Sequence, residues 1–287
     1  MKSNVRVAAV CAESHPARTE ENLQAIRRCT RQAAEQGADI VLLPELSVTG
    51  FIPNHPVGDH AAWLRAVLQG AWGMAEPLEG PAVRELAAIS AEAGVFLAAG
   101  LLENAGNVLF NTHVLVGEGR LLGFWRKMHI PMFEMAVYNG GGVPTVVDTP
   151  LGRIGVNICF DALLPESTRL LAVQGCEIAL FPFAADPAPG TAEAWGAWAR
   201  PVLQARCAEN GIYGVACNYL GDVAFAGASQ SFAGGAMTLG PGGAVLAEAT
   251  GPMLVSDFPA QGLLDARAAF EYSFRFRRPE LYGSLAR

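Results

Sequence analysis

"DIVLLPE", Asp39 to Glu45, decides how the chain is to be read. Four aliphatic residues follow one another without polar alternation, which is the mark of a short strand covered on both faces. Working outward, Val5–Val10 forms a strand before it. Thr19 caps an intervening helix with Leu23, Ile26, Thr30 and Ala33 on one face and an end near Gly37. Beyond it, Val83, Leu86, Ala87 and Ser90 give a second helix stopped at Gly94, and "VFLAAGLLE" is a third strand.

The pattern then changes to hairpins. "VLFNTHVLV" and "LLGFWRK" flank the turn "GEGR", and "PTVVDTPLGRIGVNIC" makes two strands about "TPLG". A helix from about Pro165 leads through Gly175 to the strand "EIALFPFA". A longer helix near 191–210, with Pro201 inside it, precedes the strand "IYGVACN", and "GAMTLGPGGAVLAEAT" is a last hairpin. No linker, repeat or low-complexity block separates these elements. One α/β domain over residues 1–270, built as two packed sheets flanked by helices, is the simplest solution. The tail from 271 to 287, "EYSFRFRRPELYGSLAR", is aromatic and basic without an obvious core partner, and is expected to lie on a neighbouring subunit.

Composition narrows the function. At 51% hydrophobic and 16% charged, the chain buries a large core and is not a disordered segment. A net charge of -7 and the absence of a basic cluster speak against a nucleic-acid partner. Each apolar run is broken by Gly, Pro or a charge before it could cross a bilayer, and the N-terminal stretch reads as a strand rather than a signal peptide. Six scattered cysteines form no C-x-x-C pair, so reduced thiols and a cytoplasmic location are expected. The nearest histidine pair, His55 and His60, is interrupted by Pro and Gly, and no metal or other cofactor is expected.

Three polar residues stand at the ends of apolar strands: Glu45, Lys127 and Cys159. Strand ends are where side chains from neighbouring strands converge in a cleft. Singly, none marks a site. A charge at a strand end is ordinarily the first wetted residue, and a cysteine after Val-Asn-Ile ordinarily fills core.

Together, "VLLPELSVTGF", "FWRKMHIP" and "GVNICFDALLPE" resemble the three signature segments of the nitrilase superfamily of carbon-nitrogen hydrolases. "NVLFNTHVLV", "RCAENGIYGVACN", "GAMTLGPGGAVLAE" and "RRPELYGSL" are similar to further family segments in the same order, so the resemblance spans nearly the whole chain. It implies a four-layer α-β-β-α sandwich that pairs as a homodimer or larger homo-oligomer. It also implies three roles: Glu45 as general base, Lys127 as oxyanion stabiliser and Cys159 as nucleophile forming a thioester. The chemistry is coherent, because a protonated thiol needs a base, and a tetrahedral oxyanion needs a cation and a donor such as the backbone N–H of Phe160. Glu134, the only acidic residue between Lys127 and Asp148, is the candidate second glutamate, although "MAVYNGGGVP" after it departs from the family's aromatic-x-Pro-Gly pattern. His129 is assigned a supporting place. Asp161 and Glu166 are expected to anchor the turn and helix start after Cys159, and Asn157 to be a satisfied buried amide.

The expected substrate is a small neutral amide. Relatives acting on carboxylate-bearing substrates often place an arginine just after the cysteine, whereas Ala162-Leu163-Leu164 stands here and no arginine occurs between Arg153 and Arg169. Ala162, Leu163 and Trp195, with Trp198, are the expected pocket wall. An N-carbamoyl amine hydrolase or a nitrilase would use the same residues, and a non-catalytic binding protein could retain the fold. "GASQSFAGG", Gly227 to Gly235, resembles the loop of Ser-Ser-Lys amidases, but without their upstream lysine segment it reads as flexible backbone near the pocket.

Overall fold

Two six-stranded sheets stack against each other in a computed structural model that describes residues 1, 3–54 and 58–286. His55 therefore lies outside the described residues. The chain opens with β1 (Val5–Val10), α1 (Thr19–Glu35), β2 (Ile40–Leu42), α2 (His60–Met74) and α3 (Pro81–Ala93), then β3 (Phe96–Asn104), β4 (Leu109–Gly117) and β5 (Arg120–Arg126). It continues through β6 (Val147–Thr149), β7 (Gly152–Val156), α4 (Pro165–Val173), β8 (Ile178–Phe183), α5 (Ala192–Asn210) and β9 (Tyr213–Asn218). The last elements are β10 (Leu220–Phe225), β11 (Ala228–Ala233), β12 (Ala236–Leu239), β13 (Val245–Ala249), β14 (Met253–Phe258) and α6 (Ala260–Ala268).

The first sheet runs β14-β1-β2-β3-β4-β5 and the second β13-β12-β9-β8-β7-β6. In each, three central strands are parallel (β1, β2, β3 and β7, β8, β9), with antiparallel strands outside them. The apolar run at 40–42 shows why the layers stack. Ile40 and Leu42 enter the core shared with Ile178 and Val215 of the second sheet, while Val41 packs with Ile26 of α1 and Leu86 of α3. Burying each such side chain contributes about 1.5–3 kcal/mol. On the far side of the second sheet, Leu171 of α4 and Leu203 of α5 join the core with Phe181. The order of layers is α-β-β-α.

In α1 the expected stripe of Leu23, Ile26, Thr30 and Ala33 is buried. Thr19 is its first helical residue rather than its cap, since Arg18 holds the cap position without a side-chain bond. Gly94 ends α3 with a left-handed φ of 69°, a conformation that glycine adopts without steric cost. Two elements depart from expectation. α2 was not foreseen in the sequence. The Gly227–Gly235 stretch is not loose backbone: Ala228–Ala233 is a strand paired with β10, and Ala228, Gln230 and Phe232 alternate inward while Ser229 and Ser231 face out. Phe232 packs there with Trp63 and Val67 of α2 and with Leu46 and Ala184, in a separate cluster.

The tail lies on its own α4 and α5: Ser273 Oγ donates to Glu209 O at 3.0 Å, and the Arg169 guanidinium sits 5.0 Å from the Phe274 ring centroid. Its outer side leaves Phe276, Leu281 and Leu285 exposed. Among the described residues no helix is long and apolar enough to cross a membrane, and no group of three or more His, Cys, Asp or Glu is placed to hold a metal.

One glycine ties the fold to the polar residues. A Cβ on Gly100 of β3 would collide with the backbone nitrogen of Leu46 and lie 3.1 Å from the Glu45 carbonyl carbon. Gly100→Ala is expected to lower stability by about 1–3 kcal/mol and to reduce activity by displacing Glu45. A urea midpoint and turnover rate equal to wild type would refute this.

Candidate active site

Glu45 stands three residues beyond β2, where the chain leaves the sheet and Leu46 takes a positive φ of 54°. The backbone is held there by Leu43 N donating to Ala98 O at 2.9 Å and Val48 N donating to Gly100 O at 2.8 Å. The Glu45 carboxylate is fully buried, with both oxygens engaged. Oε1 accepts from Asn111 Nδ2 and from Lys127 Nζ, each at 2.7 Å, and Oε2 accepts from the Ala184 N–H at 3.0 Å.

Lys127 follows the last residue of β5. Its N–H donates to Asn111 O and its carbonyl accepts from Gly141 N, both at 2.8 Å, so its backbone is fixed on both sides. Nζ bridges Glu45 and, at 2.8 Å, Glu134 Oε2. Glu134 sits in the 131–139 loop, closed by Tyr138 N donating to Glu134 O at 3.1 Å and Asn139 N donating to Leu109 O at 2.9 Å. Burial alone would strip the proton from Lys127, but Glu134 and Glu45 outweigh it and hold the ammonium well above the usual lysine range. Burial raises the Glu134 carboxyl, with Lys127 pulling the other way.

Cys159 begins a tight 3₁₀ turn, Cys159–Leu163, after β7, with a φ of 48°. A left-handed φ is uncommon for a residue with a Cβ and costs of order 1–3 kcal/mol. The surroundings must enforce it. Asp161 is one restraint: its carboxylate accepts from Met128 N at 3.2 Å, from His129 N at 2.9 Å and meets His129 Nδ1 at 2.8 Å. The turn after Cys159 is thereby fastened to the segment after Lys127. Burial pushes the Cys159 thiol well above the ordinary range, and Glu45 pushes it further, against the opposing pull of Lys127. Glu134 adds to the rise, and the Ala184 backbone N–H opposes it. One ammonium faces two carboxylates, so a thiolate would add a second net negative charge to a dry site. These surroundings favour the protonated thiol.

Glu45, Lys127, Glu134 and Cys159 thus share one electrostatic environment, though they are spread over 115 positions of the chain (159 minus 45 plus one). Phe160 is 36% exposed beside the turn. The wall expected from Ala162 and Trp195 is different. Ala162 is wholly buried, and Trp195 is 1% exposed, edge-on to Phe183 with ring centroids 5.8 Å apart. Both belong to the core shared by the two sheets, and Trp195 also lines a cavity with Ala192, Arg200 and Glu248. Leu163 is half-buried and Trp198 is 37% exposed, its ring centroid 6.0 Å from that of Phe183. Asp161 does not cap its own turn but reaches across to 128–129, while Glu166 lies exposed in the first turn of α4. Asn157 is only half satisfied: Oδ1 accepts from Thr168 Oγ1 at 2.8 Å, and Nδ2 has no partner.

Sequence reasoning missed Asn111 and the Ala184 N–H, which orient Glu45. A signal existed for the first, since a lone amide interrupts the apolar run "VLFNTHVLV". None existed for a backbone N–H. Tyr138 was missed too; it is buried next to the cluster, and burial, then Glu134 and Glu45, raise its hydroxyl well above the usual range.

The model of the carbon-nitrogen hydrolase family matches residues 6–252. The chain is similar to N-carbamoylputrescine amidase of Arabidopsis thaliana, at 30% identity over 280 residues, covering 92% of this chain and 89% of that protein. It is similar to deaminated glutathione amidase of Mus musculus, at 29% over 297 residues, covering 97% and 85%. Among solved structures, it resembles a variant of the amidase from Nesterenkonia sp. AN1 that carries the acetamide moiety of fluoroacetamide covalently at its active-site cysteine. The TM-score is 0.73 at 25% identity, over 96% of this chain and 97% of that one.

The raised thiol makes a direct prediction. The ultraviolet thiolate absorbance of wild type minus Cys159→Ala is expected to be absent at neutral pH and to emerge only above the ordinary cysteine pKa of about 8.5. A thiolate signal already present at pH 7 would show that the resting site holds a Cys–Lys ion pair instead.

Proposed function

The chain belongs to the carbon-nitrogen hydrolase family, and from that premise we propose that it cleaves small neutral amides to a carboxylic acid and ammonia through a thioester on Cys159. One observation carries the reading: a buried ammonium clamped between two carboxylates, with the buried Cys159 thiol in the same dry environment. Glu45 removes the thiol proton as sulfur attacks the amide carbonyl carbon. Lysine has three N–H donors, and two of those on Lys127 go to Glu45 and Glu134. The third, with the Phe160 backbone N–H, meets the developing oxyanion. The tetrahedral adduct collapses as Glu45 returns its proton to the leaving nitrogen, releasing ammonia and leaving the thioester. Glu45 then takes a proton from water, the hydroxide adds to the thioester carbonyl, and the second adduct expels the thiol and frees the acid. Glu134 holds Lys127 in place throughout.

Neutrality of the substrate is supported by where the arginines go. Arg153 binds Asp148 at 2.9 Å, Arg169 stacks on Phe274, and Arg206 is engaged with backbone carbonyls. The acetamide moiety on the cysteine of the Nesterenkonia enzyme is an acyl group of the proposed size. A carbamoyl substrate is the second reading, favoured by the similarity to N-carbamoylputrescine amidase.

Ammonia release from acetamide, propionamide, benzamide, carboxylate-bearing amides, N-carbamoyl amines and nitriles tests both. Neutral amides are expected to be turned over, with Cys159→Ala and Glu45→Gln slower by about a thousandfold or more. Preference for N-carbamoyl amines, with carbon dioxide released alongside ammonia, would select the second reading. Equal rates in wild type and Cys159→Ala on every substrate would dismiss both.

A further inference from the structure

Cys159 holds a backbone conformation that its own turn does not explain. The turn's first restraint, Asp161, faces the first sheet. Its other end, Ala162 and Leu163, points carbonyls toward α5, and Pro165 follows with no N–H to offer them. A helix residue supplies what the backbone lacks. Arg206, 8% exposed on α5, donates from Nε to Ala162 O at 2.9 Å and from Nη2 to Leu163 O at 3.1 Å. Its third nitrogen, Nη1, meets Glu209 Oε1 at 3.0 Å one helical turn on, which balances the charge. Each nitrogen of the guanidinium has one partner, and two of the three are the carbonyls that end the cysteine's turn.

The geometry points to Arg206 as a positioning residue for the reaction: its planar fork locks the Cys159–Leu163 turn against α5 and so fixes both the sulfur and the Phe160 N–H. This rests on the reading of Cys159 as nucleophile. The fork matters more than the charge, because two adjacent carbonyls are bound by two donors in fixed relation, which a lysine ammonium cannot reproduce. With Asp161 pulling one end toward Met128 and His129 and Arg206 pulling the other toward α5, the positive φ at Cys159 is held from both sides. Released at the α5 end, the turn relaxes toward an ordinary φ and the nucleophile moves away from Glu45 and Lys127. A displacement of about 1 Å at a reacting group is enough to lower a rate by 10²-fold.

The test compares wild type with Arg206→Lys, Arg206→Ala and Cys159→Ala on the best amide substrate, with circular dichroism to verify folding. Both Arg206 variants are expected to lose about 100-fold in kcat with KM little changed. Alkylation of Cys159 by iodoacetamide should slow in parallel, and guanidinium at a non-denaturing concentration should restore part of the activity of Arg206→Ala. Should Arg206→Ala not fold, Arg206→Lys carries the test, since it keeps the charge and the helix. A folded Arg206→Lys with wild-type kcat and alkylation rate would overturn the inference. If Cys159→Ala retained full activity, the reading of the nucleophile itself would fall, and that outcome is distinct from the first.

Discussion

The structure turns on the burial of one ammonium. Removing Lys127 and its two carboxylates from water costs several kcal/mol for each ion. The three are tolerable only as a set, with Nζ at 2.7 and 2.8 Å from its partners. Truncating one would leave a buried charge unmatched, a loss of about 3–5 kcal/mol. That constraint explains how closely the surroundings are specified. Asn111 and the Ala184 N–H take two further acceptor sites of Glu45 and leave one on Oε2 open, and the 131–139 loop is pinned by backbone bonds so that Glu134 stays in reach.

The same arrangement decides the state of the thiol. A lone lysine beside a cysteine would favour the thiolate. Here two carboxylates outnumber the ammonium, and the dry surroundings disfavour any further anion. The surroundings therefore raise the thiol and favour its protonated form. In the proposed reaction one carboxylate serves both halves of a hydrolysis, taking a proton from the thiol and later one from water.

Much of the fold was legible because its signals are local. The aliphatic run at 40–42, the stripe of α1 and the turns at Gly94 and "GEGR" each depend on a few neighbouring residues. α2 was passed over although Trp63, Val67, Ala71 and Met74 fall at helical spacing; Gly70 and Gly73 weaken the signal, and Gly70 is explained only by a distant ring, since a Cβ there would run into Phe225 of β10. β11, flanked by glycines, hid its alternation behind small Ala and Ser residues. At the site, Glu45, Lys127 and Cys159 stood at the ends of apolar strands, but their roles, and the choice of Glu134, came from the family resemblance. Trp195 could not be placed, because an aromatic residue on a helix looks the same in sequence whether it meets a core or a pocket. Asp161 does anchor the turn, but its partners could not be named in advance, because Met128 and His129 lie in the segment after β5, far away in the sequence.

That last contact has a wider meaning. Glu45 and Lys127 follow strands of the first sheet; Cys159 and Ala184 follow strands of the second. The bonds from Ala184 to Glu45 and from Asp161 to Met128 and His129 span the seam of the sandwich. The reacting groups therefore behave like a vernier laid across two plates. A slip of one sheet over the other, far too small to expose the core, would misalign the marks, so heat or denaturant should silence the chemistry while both sheets are still intact.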